Sequence, residues 1–144
     1  MPFRSVKDVI RGQTVLCLPP GAMVRAAAKA MAERRVGSVM VVEGGRLVGI
    51  FTERDALSRV LAAGLDPDAT PLEQVMTSKL ITITPDRPLV FALHLMQDYA
   101  FRHLPVVDNG RPIGVVSIRD ALGSEIIRLE REERVKQEIA EVMR

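Results

Sequence analysis

Apolar residues along the chain fall into a set of patterns that occurs twice in the same order. Leu89, Leu93, Met96 and Tyr99, at spacings of four, three and three, predict one face of a helix. An Ala-rich run from Ala22 to Ala32 predicts its counterpart earlier in the chain. Val39–Val42 and Leu104–Val107 are continuously apolar, the pattern of strands covered on both faces. Short β-rich runs, Val15–Leu18 and Leu80–Thr84, precede the helices, and a Pro-containing turn follows each. Leu47–Phe51 and Ile113–Val116 supply a third strand, joined to the second by Gly44-Gly45 or Asn109-Gly110, residues that give the positive φ angles of a tight hairpin turn. Each set reads strand, helix, strand, turn, strand, helix, and the last helix opens at Thr52 or Ser117.

The two sets are copies. Pro20 and Pro85, Met31 and Met96, Gly49 and Gly114, and Asp55 and Asp120 are each 65 residues apart, with no gap between them. Over Pro20–Leu57 against Pro85–Leu122, 12 of 38 positions are identical, where ordinary composition would give about two or three. The lead-ins also match, Val6–Ile10 resembling Leu72–Met76 at an offset of 66. Gly64 is placed to cap the first copy's last helix, and Asp66-Pro67-Asp68 with Pro71 marks a short turn between copies. The expected organisation is one repeat over 1–65, a second over 66–123 and an amphipathic helix over 124–144. Two βαββα units joined this closely are expected to pack on one another and share a core, neither half being stable alone. The fold class is α+β.

The tail is rich in helix formers, with an interrupted apolar stripe of Leu122, Ile126, Leu129, Val135, Ile139 and Val142. Glu130–Arg134 and Glu132–Lys136 are favourable i,i+4 pairs. Two readings are open: a solvated helix lying over the domain, or a helix that packs on a second subunit. Five basic and six acidic residues in Glu125–Arg144 exclude a nucleic-acid-binding arm.

Composition narrows the function classes. The chain has 144 residues, 47% hydrophobic and 26% charged, which excludes disorder and leaves no room for two large domains. A net charge of +2 with interspersed signs, and only 3% aromatic residues, argue against nucleic acid as a partner. Cys17 is the single cysteine, so an internal disulfide is excluded and a reducing compartment is expected. The start, Met1-Pro2-Phe3-Arg4, has no apolar run behind it, so neither a signal peptide nor a membrane span is expected and the protein is read as cytoplasmic.

The repeated motif Gly-h-h-[Thr/Ser]-x-Arg-Asp, with h apolar, carries the chemistry. It occurs as Gly49–Asp55, including Thr52 and Arg54, and as Gly114–Asp120, including Ser117 and Arg119. A hydroxyl at a strand-to-helix junction caps the helix, whose positive end favours an anion. A carboxylate three residues on, Asp55 or Asp120, has two oxygens able to accept both hydrogen bonds of a vicinal diol. Phosphate near Thr52 or Ser117 and ribose on Asp55 or Asp120 make a coherent nucleotide cradle. The alternative is a capping box in which the Asp reaches back to its own helix start.

The tandem, the Val-Val-x-x-Gly-Arg hairpins and the two Gly-h-h-[Thr/Ser]-x-x-Asp endings together resemble the CBS domain in its paired form, the Bateman module, over almost the whole chain to Leu122. The resemblance implies two units related by a pseudo-twofold, with clefts between them for adenosyl ligands: AMP, ADP, ATP, S-adenosylmethionine or NAD(H). It implies that Asp55 and Asp120 hold ribose, that Thr52 and Ser117 contact phosphate, and that adenine lies by Leu16 and Ile81. Residues opening the middle strand face phosphate in that family. The second copy has Arg102 and His103 there and the first has Gly37 and Ser38, so the clefts are expected to differ. Arg102, His103 and Arg119 suit a polyphosphate, and His103 would make binding depend on pH. His103 as a partly buried strand residue without a ligand is the other reading, and His94 is read as an ordinary helix residue.

Catalysis has little support. Cys17 is expected to be a buried structural thiol, and the sequence has no metal-ligand spacing, P-loop or GxGxxG. The expected protein is a non-enzymatic regulatory module that binds an adenine nucleotide, with no obligatory cofactor or metal, and signals as a homodimer to an unidentified regulated protein. The alternative is a structural or assembly module with no nucleotide ligand.

Overall fold

A computed structural model describes residues 4–118 and 133–143. It contains two repeat units, the first built on a three-stranded sheet and the second on a two-stranded one. In the first, β1 (Cys17–Leu18) runs parallel to β2 (Ser38–Glu43), which pairs antiparallel with β3 (Arg46–Thr52). A short helix α1 (Val6–Ile10) precedes β1, and α2 (Val24–Arg34) links β1 to β2. After β3 comes α3 (Glu53–Asp55), which continues as a π-helical segment, Ala56–Leu61. In the second unit, α4 (Leu89–Asp98) leads into the antiparallel pair β4 (His103–Asp108) and β5 (Arg111–Ser117). The tail is helical over 133–142.

Duplication is visible in the details. Gly44, Gly45, Asn109 and Gly110 all have positive φ, between 53° and 81°, as the two hairpin turns require. Both hairpins shift register at the same place, between Val41 and Val42 and between Val106 and Val107, where the last strand carries one extra residue, Val48 or Ile113. Both linking helices end near a left-handed residue, Arg35 at φ 54° and Ala100 at φ 56°. Gly64 has φ 74° and its N–H donates to Leu61 O, which closes the first unit's last helix as expected.

The cores are reciprocal rather than shared. One cluster holds Val24, Ala27, Met31, Val39, Val41, Phe51 and Val60 of the first repeat, completed by Leu72 and Val75 from the second repeat's lead-in. The other holds Ile83, Leu89, Ala92, Met96, Leu104, Val106 and Val116, completed by Val6 and Ile10 from the chain's start. Main-chain bonds fix the exchange: Val6 N–H to Arg87 O and Leu89 N–H to Arg4 O on one side, Leu72 N–H to Ala22 O and Val24 N–H to Thr70 O on the other. Val6 and Leu72 are fully buried, and burying such a side chain is worth about 1.5–3 kcal/mol. Each core therefore depends on residues from both repeats.

Three local expectations are corrected. Leu80–Thr84 forms only an isolated parallel bridge, Ile83 to Val106. In the first repeat Met40 N–H donates to Leu16 O at 2.8 Å; the corresponding position is Pro105, which has no N–H to give. Tyr99 is 61% exposed because α4 ends at Asp98, and it stacks on Phe101 instead. Cys17 is exposed. It lies on an outer strand whose neighbours Leu16 and Leu18 pack against the core, so alternation turns Cys17 away. What burial remains there raises the thiol's pKa, against a smaller lowering by Arg34.

Candidate functional site

Strand register brings the predicted residues together. Ser38 lies opposite Thr52 on the first hairpin, and His103 lies opposite Ser117 on the second. Glu53 N–H donates to Gly37 O at 3.0 Å, and Ile118 N–H donates to Arg102 O at 3.1 Å. Gly37 and Ser38 thus stand beside Thr52, and Arg102 and His103 beside Ser117, in equivalent arrangements. The two groups also approach one another. A Cβ added at Gly37 would lie 3.2 Å from both Glu53 Oε1 and His103 Nε2. The missing side chain at position 37 leaves room for an imidazole from the other repeat.

The Thr52–Asp55 junction forms a full capping box. Asp55 N–H donates to Thr52 Oγ1 at 3.3 Å, while Thr52 N–H and Oγ1–H donate to Asp55 Oδ2 at 2.9 and 3.1 Å. The geometry named as the alternative to a ligand site is therefore present. Asp55 is buried, with 9% exposure, and its Oδ1 faces Arg59 Nε at 3.5 Å. Arg59 was not among the expected residues, although its i,i+4 spacing from Asp55 was a usable signal. It also donates to the carbonyls of Val75 and Met76, so it ties the motif to the exchanged lead-in.

Other candidates are spread more widely. Arg54 on α3 is exposed, Ser38 is buried, and Arg102 is exposed. Leu16 and Ile81 each pack against their own repeat's core. Arg119 and Asp120 lie outside the described residues, as do the tail residues Leu122, Ile126, Leu129, Glu130 and Glu132. Within the described tail, Val135 and Ile139 are about half exposed and Val142 is 84% exposed. Among the described residues no helix is long and apolar enough to cross a membrane.

The motif glycines have a role that spacing alone did not indicate. A Cβ at Gly49 would overlap Met76 Sδ, and one at Gly114 would stand 2.7 Å from Ile10 Cβ. Met76 and Ile10 belong to the exchanged lead-ins, so the glycine that opens each motif is the point where the other repeat's segment crosses the sheet.

The family model for the CBS domain matches twice, over residues 6–62 and 72–125. The chain belongs to the CBS domain family. It is similar to the CBS domain-containing protein CBSCBSPB3 of Arabidopsis thaliana, at 40% identity over 129 residues, 89% of this chain and 23% of that protein. The chain thus spans about a quarter of the length of that relative. Among solved structures it resembles the CBS domain protein PAE2072 from Pyrobaculum aerophilum complexed with AMP, with a TM-score of 0.78, 32% identity and coverage of 88% of this chain and 97% of that one. It also resembles the CBS domain pair of protein MJ0100 in complex with 5′-methylthioadenosine and S-adenosyl-L-methionine, with a TM-score of 0.74, 28% identity and coverage of 92% and 99%. CBS pairs are regulatory modules, and this chain is a tandem pair with a helical tail.

Proposed function

We propose that this CBS pair is a non-enzymatic sensor that binds adenosyl ligands, AMP, ADP or ATP and by extension NAD(H) or S-adenosylmethionine, in the clefts between its repeats. The observation that carries the reading is the likeness to PAE2072, which was solved with AMP at 32% identity over 88% of this chain. The register that sets Ser38 beside Thr52 and His103 beside Ser117 supports it. In this reading Asp55 and Asp120 take the ribose, Thr52, Ser117, Arg102, His103 and Arg119 face phosphate, and Leu16 and Ile81 flank adenine. The repeats, 1–65 and 66–123, act within a cytoplasmic homodimer whose 124–144 helix carries ligand occupancy to a regulated protein, by population shift. The exposed Val135, Ile139 and Val142 on that helix support the dimer.

A second reading rests on a specific observation. The Thr52–Asp55 capping box is complete without a ligand, so the motif is also explained as local structure in an assembly module with no nucleotide. Thermal-shift and calorimetric titration with AMP, ADP, ATP, NAD(H) and S-adenosylmethionine separates the two. Binding of at least one, lost in Asp55→Ala with Asp120→Ala, supports the sensor; no response to any of the five selects the assembly module. Mass measurement with and without residues 125–144 tests the tail, an unchanged oligomer after truncation counting against it.

A further inference from the structure

The end of each hairpin away from Thr52 and Ser117 holds a second, differently built site. The two turns meet there, Leu47 N–H donating to Gly110 O at 3.0 Å. Between them is a cleft of about 440 Å³ lined by Gly44, Arg46, Asp108, Asn109, Arg111 and Ile113. Arg46 and Arg111 are the same position of the two repeats, 65 residues apart. Each reaches over the other repeat's turn glycine: a Cβ at Gly110 would lie 3.2 Å from Arg46 Nη1, and one at Gly45 would lie 3.9 Å from Arg111 Nε. Neither guanidinium has a hydrogen-bonding or ionic partner among the described residues.

Two cations brought to one seam against the single carboxylate of Asp108 leave an excess of positive charge, which an anion between the two guanidinium groups would neutralise. Guanidinium forks match the paired oxygens of a phosphate. Asp108 in the same wall accepts a hydrogen bond and repels a fully deprotonated anion, which favours a phosphate species that keeps an O–H. Asn109 adds a side-chain amide. We propose that the seam between the two turns binds a phosphate-class anion, clamped by Arg46 from one repeat and Arg111 from the other. The site is distinct from the Thr52 and Ser117 junctions and does not depend on the nucleotide reading.

The test is calorimetric titration of the full chain with pyrophosphate at constant ionic strength, so that general screening is held fixed. Saturable binding is expected, weakened roughly tenfold or more by Arg46→Gln and by Arg111→Gln, since each removes charge-assisted hydrogen bonds. Lys29→Gln, at an exposed cation on α2, should leave it unchanged. Absence of saturable binding overturns the proposal. So does equal weakening by Lys29→Gln, which reports a diffuse field, or unchanged binding in Arg46→Gln and Arg111→Gln, which places the anion elsewhere on the protein. Both arginines are exposed, and ligand-free melting curves matching the parent show that any loss is of binding rather than of fold.

Discussion

Gln13 completes the edge of β5 through its side chain: Val115 N–H donates to Gln13 Oε1 at 3.0 Å, and Gln13 Nε2–H donates to Val115 O at 3.1 Å. The equivalent position of the first repeat, Ile50, is served by main chain instead, with Ile50 N–H to Thr77 O at 3.0 Å and Thr77 N–H to Ile50 O at 2.9 Å. One edge thus depends on a side-chain identity and the other does not. Gln13→Ala should cost about 1–2 kcal/mol in urea unfolding, the loss of two partly buried hydrogen bonds. Thr77→Ala should stay within about 0.5 kcal/mol, since its main-chain pair is retained. Equal costs would show that the amide pair adds nothing to the edge.

The motif glycines should respond unequally to a methyl group. At Gly49 the added Cβ meets the flexible end of Met76, which can swing aside; at Gly114 it meets Ile10 Cβ at 2.7 Å, an atom fixed to the backbone of α1. Gly114→Ala should therefore destabilise by about 1–3 kcal/mol, and Gly49→Ala by clearly less. Chemical denaturation of the two variants side by side measures the order. The reverse order would mean that α1 is held less firmly than its buried Val6 and Ile10 indicate.

Acid should loosen the N-terminal seam. Asp8 closes a capping box with Ser5, and the Ser5 backbone N–H and hydroxyl, then Arg11 and Lys7, hold its pKa below the ordinary carboxylate value. Asp86, across the seam, is lowered by the Thr84 hydroxyl, by its own backbone N–H and by Arg87. A depressed folded-state pKa adds stability that is present above the unfolded value, about 3.9, and lost as pH falls through the folded value. Hydrogen exchange at the Val6 and Leu89 amides, corrected for intrinsic rates, should accelerate from pH 5 to pH 3 more than at Val24 and Leu72. Asp8→Asn should bring part of that acceleration to pH 5. Both carboxylates are exposed to solvent, so the effect should shrink with added salt.

The hairpins were legible because their turns leave little choice: Gly44-Gly45 and Asn109-Gly110 are residues that tolerate positive φ on both sides of the bend. The turns alone would set Ser38 opposite Phe51 and His103 opposite Val116; one extra residue in each last strand, Val48 or Ile113, shifts the pairing to Ser38 with Thr52 and His103 with Ser117, and no residue pattern announces that shift. The exchange of lead-ins was not legible, because Val6–Ile10 and Leu72–Met76 match each other equally well whichever core they enter. Leu80–Thr84 read as a strand from its own residues, yet a parallel strand needs donors from its neighbour, and Pro105 withholds one. Cys17 read as buried because its run is apolar, while its place on an outer strand is a tertiary fact. Arg59 was missed for a similar reason: its i,i+4 partner was visible, but its reach to Val75 and Met76 depends on the exchanged segment.

Arg59 gives the nucleotide proposal its sharpest test. A carboxylate offers about four lone-pair positions; at Asp55 two are taken by Thr52 N–H and O–H, and Arg59 faces the other oxygen at 3.5 Å. A ribose diol needs two acceptors, so in the proposed complex the guanidinium must give way. Arg59→Met keeps the Thr52 cap and frees Oδ1. Because Arg59 is itself half exposed and 3.5 Å from the carboxylate, their attraction is worth about 1 kcal/mol, so AMP affinity at this cleft should rise by up to about fivefold. Asp55→Ala should abolish binding there and cost about 1 kcal/mol of stability through loss of the reciprocal cap. Titration of both variants with AMP, alongside their unfolding midpoints, reads the two effects separately. Weaker AMP binding in Arg59→Met, with its midpoint unchanged, would make Arg59 a ligand contact and not a competitor for Asp55.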